Sequence, residues 1–266
     1  MVYKFTASDD KYITDNYKSK TIKEIANCLN LTYSQVRHRI ERHLKITPSK
    51  RKKHYHNEAF FKEDSRDKYY VLGLVSADGN LYNDNYKNKY KVSISLHYDD
   101  ISLLKNINNL ICNTNLISTR KNNKMSELVL YNEVIYNEIK KNGITERKSL
   151  SIKFPNIPKE YIKDFIRGYF DGDGSLTVSK IGNYKKLTIQ FLGTYDFLKG
   201  INNTINKELN ISIKNITNTK SKIKCLRYYT LEAEAVLDWL YEDSCNNLKL
   251  YRKYNKYISY KKRFND

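Results

Sequence analysis

Val71-Leu-Gly-Leu-Val-Ser-Ala-Asp78-Gly79 recurs, 95 residues later by start position, as Ile166-Arg-Gly-Tyr-Phe-Asp-Gly-Asp173-Gly174. Both copies read apolar, variable, Gly, bulky, bulky, polar, small, Asp, Gly. Each follows an apolar and aromatic run and precedes alternating, strand-like sequence, as expected of one supersecondary unit used twice. Read as a helix, each copy places two small residues on one face: Gly73 with Ala77, and Gly168 with Gly172. Small residues at that spacing let two backbones approach closely. Glycine inside a helix costs about 1 kcal/mol, so its repetition predicts that the two helices touch. Gly79 and Gly174 fit the left-handed position that ends a helix. Asp78 and Asp173 then sit at the negative ends of the helix dipoles, where a carboxylate is unfavourable unless a cation joins it. Two such ends side by side predict a divalent-metal site with oxygen ligands.

The duplicated motif resembles that of the LAGLIDADG homing endonucleases in their single-chain, two-motif form, and the resemblance covers roughly residues 65 to 264. It implies that the two motif helices pack at a pseudo-twofold axis. It also implies that Asp78 and Asp173, with the adjoining Gly79 and Gly174, bind Mg2+, two or three divalent ions being shared between the aspartates. The implied activity is site-specific hydrolysis of one phosphodiester in each strand of double-stranded DNA by a monomer. The first copy has Ser76 where the second has Asp171, a position that is not the essential ligand. The family also places basic side chains beside each site. Glu146-Arg-Lys148 and Tyr251-Arg-Lys253 make Lys148 and Lys253 the candidates for steadying the attacking water or the phosphate. Asp171-Gly-Asp173-Gly-Ser175 also looks like the start of a calcium loop, but Leu176 stands where that loop needs glycine.

The chain has 266 residues, with 48 basic against 29 acidic side chains and a formal charge of +19. That charge favours a polyanion such as DNA, although AT-rich coding DNA also enriches Lys, Asn, Ile and Tyr. It argues against a halophilic origin. The four cysteines Cys28, Cys112, Cys225 and Cys245 form no Cys-x-x-Cys pair, which speaks against zinc and a disulfide framework and fits a reducing cytosol. No apolar signal segment opens the chain and no run reaches membrane-span length. A cytoplasmic setting in a bacterium or phage-infected host follows from family habit and composition.

Residues 1–47 predict three short helices. Thr6 precedes the first, with Asp9 three residues on, and Thr21 with Glu24 and Thr32 with Gln35 have the pattern of capping boxes. The second helix buries Ile22, Ile25, Ala26 and Leu29, the third Val36, Ile40 and Leu44. This resembles a helix-turn-helix domain whose third helix presents Gln35, His38, Arg39 and Arg42 to DNA; the plainer alternative is a helical bundle with a solvated basic face. Residues 48–64, with Lys50-Arg-Lys-Lys53, read as a basic linker along phosphates. His54 and His56 lack further ligands at suitable spacing and are assigned to that linker.

The remainder divides into repeats at 65–158 and 159–266. The fold class is therefore α+β: two pseudo-symmetric α-β-β-α-β-β-α repeats behind a small three-helix domain. Strands are expected near 80–88, 90–97, 115–120 and 126–131, then near 175–180, 185–192, 211–217 and 223–231. Val92, Ile94 and Leu96 alternate with Lys91, Ser93 and Ser95, and Leu187, Ile189 and Phe191 with Lys186, Thr188 and Gln190, giving each sheet one apolar and one polar face. A β surface can enter the major groove, so Lys91, Ser93, Ser95, Lys186, Thr188 and Gln190 are the expected DNA contacts. Two other functions share the resemblance: a DNA-binding regulator that has lost catalysis, which the retained aspartates oppose, and an intron RNA maturase. A protein-splicing role lacks the terminal Cys or Ser and the His-Asn it needs.

Overall fold

A computed structural model describes residues 3–17, 20–46, 56–84, 89–112, 114–182, 184–242 and 248–262. It divides into two compact units, Met1–Tyr55 and His56–Asp266. Lys50 to Lys53 and His54, the basic half of the expected linker, lie outside the described residues.

The first unit holds α1 (Ala7–Asn16), α2 (Ile22–Cys28) and α3 (Tyr33–His38). Both expected capping boxes form and Thr6 with Asp9 makes a third, with Thr6, Thr21 and Thr32 accepting from the third helical amide while Asp9, Glu24 and Gln35 accept from the cap amide. Asn30, at φ 53, makes the turn between α2 and α3. Ile13, Ile25, Ala26, Val36 and Ile40 form the core, with Ile22, Leu29 and Leu44 packed around it. The third helix does not continue as regular α-helix: Arg39–His43 are wound as a π-helix. Thr21→Ala removes one half of a capping box, at about 1 kcal/mol. Hydrogen exchange at the Ile25 and Ala26 amides of the whole chain should quicken about fivefold; unchanged exchange would show that the cap does not limit local opening.

The second unit begins earlier than expected. His56 pairs with Cys112, the Asn57 amide donates to the Ile111 carbonyl at 2.7 Å, and Phe61 is buried. The stretch 56–64, expected as linker, is therefore packed structure, because Phe60 and Phe61 supply apolar surface that a solvated linker could not keep exposed. The first repeat follows as α4 (Arg66–Asp78), β1 (Gly79–Asp84), β2 (Lys89–His97), α5 (Ile101–Ile111), β3 (Ile117–Arg120), β4 (Met125–Tyr131) and α6 (Glu133–Lys141). The second is α7 (Ile162–Asp173), β5 (Gly174–Ile181), β6 (Tyr184–Gly193), α8 (Tyr195–Leu209), β7 (Thr217–Asn218), β8 (Lys224–Tyr229), α9 (Thr230–Tyr241) and α10 (Tyr251–Lys262). Both sheets are antiparallel with the same order, β1-β2-β4-β3 and β5-β6-β8-β7. The strand expected over 211–217 shrinks to the two-residue β7. Its preceding chain is held instead by side-chain bonds such as Asn202 Nδ2 to the Lys214 carbonyl at 2.7 Å.

The two motif helices form the centre. A Cβ on Gly73 would lie 2.0 Å from the Phe165 carbonyl oxygen, and one on Gly168 would lie 2.0 Å from that of Tyr70. Since 70 + 95 = 165 and 73 + 95 = 168, these contacts are one contact made twice about a pseudo-twofold axis. A Cβ on Gly172 would meet the Ala77 Cβ at 2.4 Å. The paired numbers rise together along the seam, so α4 and α7 run the same way and their C-terminal ends arrive side by side.

Candidate active site

Each motif helix stops at its aspartate, and the next residue starts a strand: Gly79 begins β1 and Gly174 begins β5. Neither glycine is left-handed as expected. Gly79 has φ −82 and ψ 152, and Gly174 has φ −78 and ψ 154, which is extended backbone. What requires glycine is space. A Cβ on Gly79 would strike the Val75 carbonyl oxygen at 2.5 Å, and one on Gly174 would strike the Phe170 ring at 2.2 Å. The chain turns directly from helix to strand over its own last turn.

This turn brings Asp78 and Asp173 together at the junction, each at a helix C-terminus. Asp78 is half-buried and Asp173 reaches the surface. Burial first, and then the neighbouring Asp173 charge, push the Asp78 carboxyl up to about 6, against the pull of Lys253 and Lys148. The Asp173 carboxyl is also raised by crowding protein atoms, with Lys148 and Lys253 opposing. Burial thus disfavours both charges even with two lysines beside them. Two carboxylates of hard oxygen match a divalent cation that completes its shell with backbone oxygens, water and phosphate. Among the described residues no cluster of three or more His, Cys, Asp or Glu side chains forms a self-sufficient metal cage.

The structure also brings Lys148 and Lys253 to the junction, with their ammonium groups aimed inward. Both residues are only 7% exposed. Lys148 Nζ donates to the Gly79 carbonyl and, at 3.4 Å, to that of Ala77. Lys253 Nζ donates to the carbonyls of Phe170 and Asp171, each at 2.7 Å, to Gly172 at 3.3 Å and to Gly174 at 2.5 Å. Each lysine therefore collects the orphan carbonyls of one motif helix and sets a positive charge against the negative end of its dipole. The carbonyls of Gly79 and Gly174, expected to help bind metal, already accept from these lysines. Burial holds both ammonium groups below the usual lysine range, Lys253 down to about 8, while the nearby aspartates oppose the shift. Lys253→Met should cost about 1–3 kcal/mol in urea denaturation, because buried carbonyls lose their donor. An unchanged midpoint would show that the ammonium is not what holds this helix end.

Asp171 takes a part that the sequence did not reveal. It is buried and accepts from Tyr70 Oη and Tyr241 Oη, each at 2.7 Å, and from the Leu250 amide at 2.8 Å. It joins both motif helices to α9 and to the segment entering α10, which carries Lys253. In the first repeat Ser76 only donates to Leu72 within its own helix, at 2.8 Å. Tyr241 and Leu250 stand 70 and 79 residues from Asp171, and no local pattern links them. Beside this node, Arg167 is fully buried, pairs with Asp164 at 2.7 Å, and donates to the carbonyls of Leu240 and Leu248 at 3.2 Å.

The expected DNA contacts are sorted differently by the structure. On the first sheet Lys91 forms an ion pair with Glu127 at 3.3 Å and Ser95 is half-buried, but Ser93 is only 3% exposed, a short side chain below its neighbours. On the second, Lys186 lies 4.4 Å from the centre of the Tyr229 ring, Thr188 is half-buried, and Gln190 Oε1 accepts from Arg227 Nε at 3.2 Å. In the first unit His38 and Arg42 are exposed. Gln35 is spent on the Thr32 capping box, and Arg39 turns back onto Asp10 through bonds of 2.8 and 2.6 Å.

No protein-family model and no curated protein sequence matches the chain. Solved structures do. The LAGLIDADG homing endonuclease I-LtrWI bound to target DNA is 15% identical with a TM-score of 0.51, over 76% of this chain and 89% of that one. I-GzeII in complex with its DNA target is 17% identical with a TM-score of 0.52, over 75% and 89%. I-SmaMI bound to uncleaved DNA in the presence of calcium ions is 11% identical with a TM-score of 0.53, over 74% and 90%. About three quarters of the chain is thus arranged as in those proteins, and the chain has the LAGLIDADG homing endonuclease fold.

Proposed function

We propose that this protein is a site-specific endonuclease that hydrolyses one phosphodiester in each strand of a long DNA duplex. The observation that carries the reading is the junction itself: two aspartates, one from each repeat, at helix ends brought together by reciprocal glycine contacts. A pseudo-twofold pair of acidic sites matches two antiparallel strands related by the same operation. Asp78 and Asp173 would hold divalent ions, Mg2+ being the expected species, whose chemistry is to stabilise the attacking and leaving oxygens. Lys148 and Lys253 fix the two helix ends and keep positive charge beside the carboxylates, so they act as positioning residues. In each strand a water oxygen forms a bond to phosphorus as the bond to the leaving sugar oxygen breaks; the attacking water gives its proton to solvent, and the leaving oxygen takes one from solvent to become a hydroxyl. The polar sheet faces, with Lys91, Ser95, Lys186, Thr188 and Gln190, would lie along the duplex as a β surface.

The N-terminal unit is proposed to add DNA contacts as a helix-turn-helix, through His38 and Arg42 rather than Gln35 and Arg39, since the latter two are engaged within the unit. The double-stranded DNA partner also accounts for the +19 charge. Among the described residues no helix is long and apolar enough to cross a membrane.

Incubation with a pooled library of duplexes, with Mg2+ and separately with Ca2+, followed by sequencing of cut ends, tests this reading. One long, partly asymmetric site cut only with Mg2+ is the expected result. Selective binding without any cutting by folded protein would replace the nuclease with a DNA-binding regulator.

A further inference from the structure

The strand registers align the two sheets residue by residue. Gly79 pairs with Ile94 and Ile94 with Leu128, while Gly174 pairs with Phe191 and Phe191 with Leu226. Counting outward from these anchors, Lys89 corresponds to Lys186 (94 − 5 and 191 − 5), and Tyr131 to Tyr229 (128 + 3 and 226 + 3). Both pairs are in contact. Lys89 Nζ lies 5.4 Å from the Tyr131 ring centre, and Lys186 Nζ lies 4.4 Å from that of Tyr229. The tyrosines are large and exposed, at 55% and 42%, on the polar faces. At roughly 3.3 Å per residue each lysine stands about 17 Å and each tyrosine about 10 Å along the strand from the catalytic end, roughly three to five base-pair steps. The inner position is not duplicated. Ser93 faces Val129 in the first sheet, and Gln190 faces Arg227 in the second. The Arg227 guanidinium is oriented by Gln190 at 3.2 Å and by Thr217 at 3.4 Å. Ser93 is covered, and neither it nor Val129 offers a cationic donor.

We infer that the target site is palindromic at its outer positions and asymmetric at its inner ones. The Lys89–Tyr131 and Lys186–Tyr229 pairs read the same base in both half-sites, and Arg227 reads a base in only one. This rests on the polar sheet faces lying against DNA. An ammonium seated over an aromatic ring and a guanidinium fixed by an amide offer only donors. The major-groove edge with two acceptors is that of guanine, which is therefore the base expected at each position.

The test is selection of bound duplexes from a randomised pool by the full chain in chelator, where cutting cannot occur. The wild type should enrich guanine at two outer positions related by the dyad, and at one inner position without a partner. Lys89→Ala and Lys186→Ala should each erase the outer preference in one half-site only, by about tenfold, and Arg227→Ala should erase the inner one. Outer preferences unrelated by symmetry would overturn the inference. So would lysine variants that weaken all duplexes equally with a shallower salt dependence, since that marks phosphate contacts, and so would a pool with no enrichment. Enrichment by a protein that never cuts would remove the endonuclease reading and leave this one standing.

Discussion

Asp78→Asn and Asp173→Asn should each abolish double-strand cleavage, by a factor of a thousand or more, on the order of the 4 kcal/mol that a lost charge-stabilising group costs. Duplex affinity should stay largely as it is. The two variants should also separate from a folding defect by their stability. In metal-free buffer at pH 8 the Asp78 carboxylate is held among Asp173, Lys148 and Lys253 with its carboxyl up at about 6. A carboxyl raised in the folded state binds its proton more tightly there than in the unfolded chain. Its charge therefore weakens the fold as pH rises from the ordinary carboxylate range through about 6. Removing that charge should raise the unfolding free energy at pH 8 by on the order of 2–3 kcal/mol, and the melting temperature with it, and change little at pH 4. Divalent ions should close the difference by stabilising only the wild type. Undiminished cutting by either variant would refute the site. A variant less stable than wild type at pH 8 would refute the account of its electrostatics.

The second large effect is expected at Gly168. Its added Cβ would lie 2.0 Å from the Tyr70 carbonyl oxygen, which belongs to the backbone of the partner helix and cannot rotate aside. Ordinary contact requires the helices to part by more than about 1 Å, and overpacking of this kind costs about 3 kcal/mol or more. Gly168→Ala should therefore lower the urea midpoint by that equivalent. Gly73→Ala should match it, because the contact at Phe165 is the symmetric one. The double variant should cost less than the sum, since the first Cβ has already separated the helices. Cleavage should fall about a hundredfold even where the protein remains folded, because a shift of about 1 Å moves the aspartates off their geometry. Gly182, at φ +58 with nothing within 4 Å of an added Cβ, is the control. Alanine there meets only backbone strain of about 1 kcal/mol. Equal losses at Gly182 and Gly168 would show that the seam is not tightly packed.

The seam was legible because its signal is local and doubled. Small residues four apart, an aspartate and a glycine, repeated in the same context, fix a helix face and its end. Strand alternation was legible for the same reason: Val92, Ile94 and Leu96 face the core. Gly79 and Gly174 were found for the wrong reason. Helix-ending glycines are usually left-handed, whereas here the chain passes straight into a strand and needs only the missing side chain. Lys148 and Lys253 were legible from their shared Arg-Lys, but their direction was not, because a pair of residues carries no sign of which group its ammonium meets. The same limit hid the engagement of Arg39 by Asp10, 29 residues away. It also hid Asp171, whose three donors come from distant parts of the chain.

The claim that one carboxylate from each repeat completes a single metal-binding junction is tested most directly by diffraction. Crystals of the full chain with a selected duplex and Mn2+ would be measured at the manganese edge. Anomalous peaks in contact with both Asp78 and Asp173, between the helix ends and the two DNA strands, are the expected result. Peaks absent from these carboxylates, while manganese sits elsewhere on the bound duplex, would contradict it.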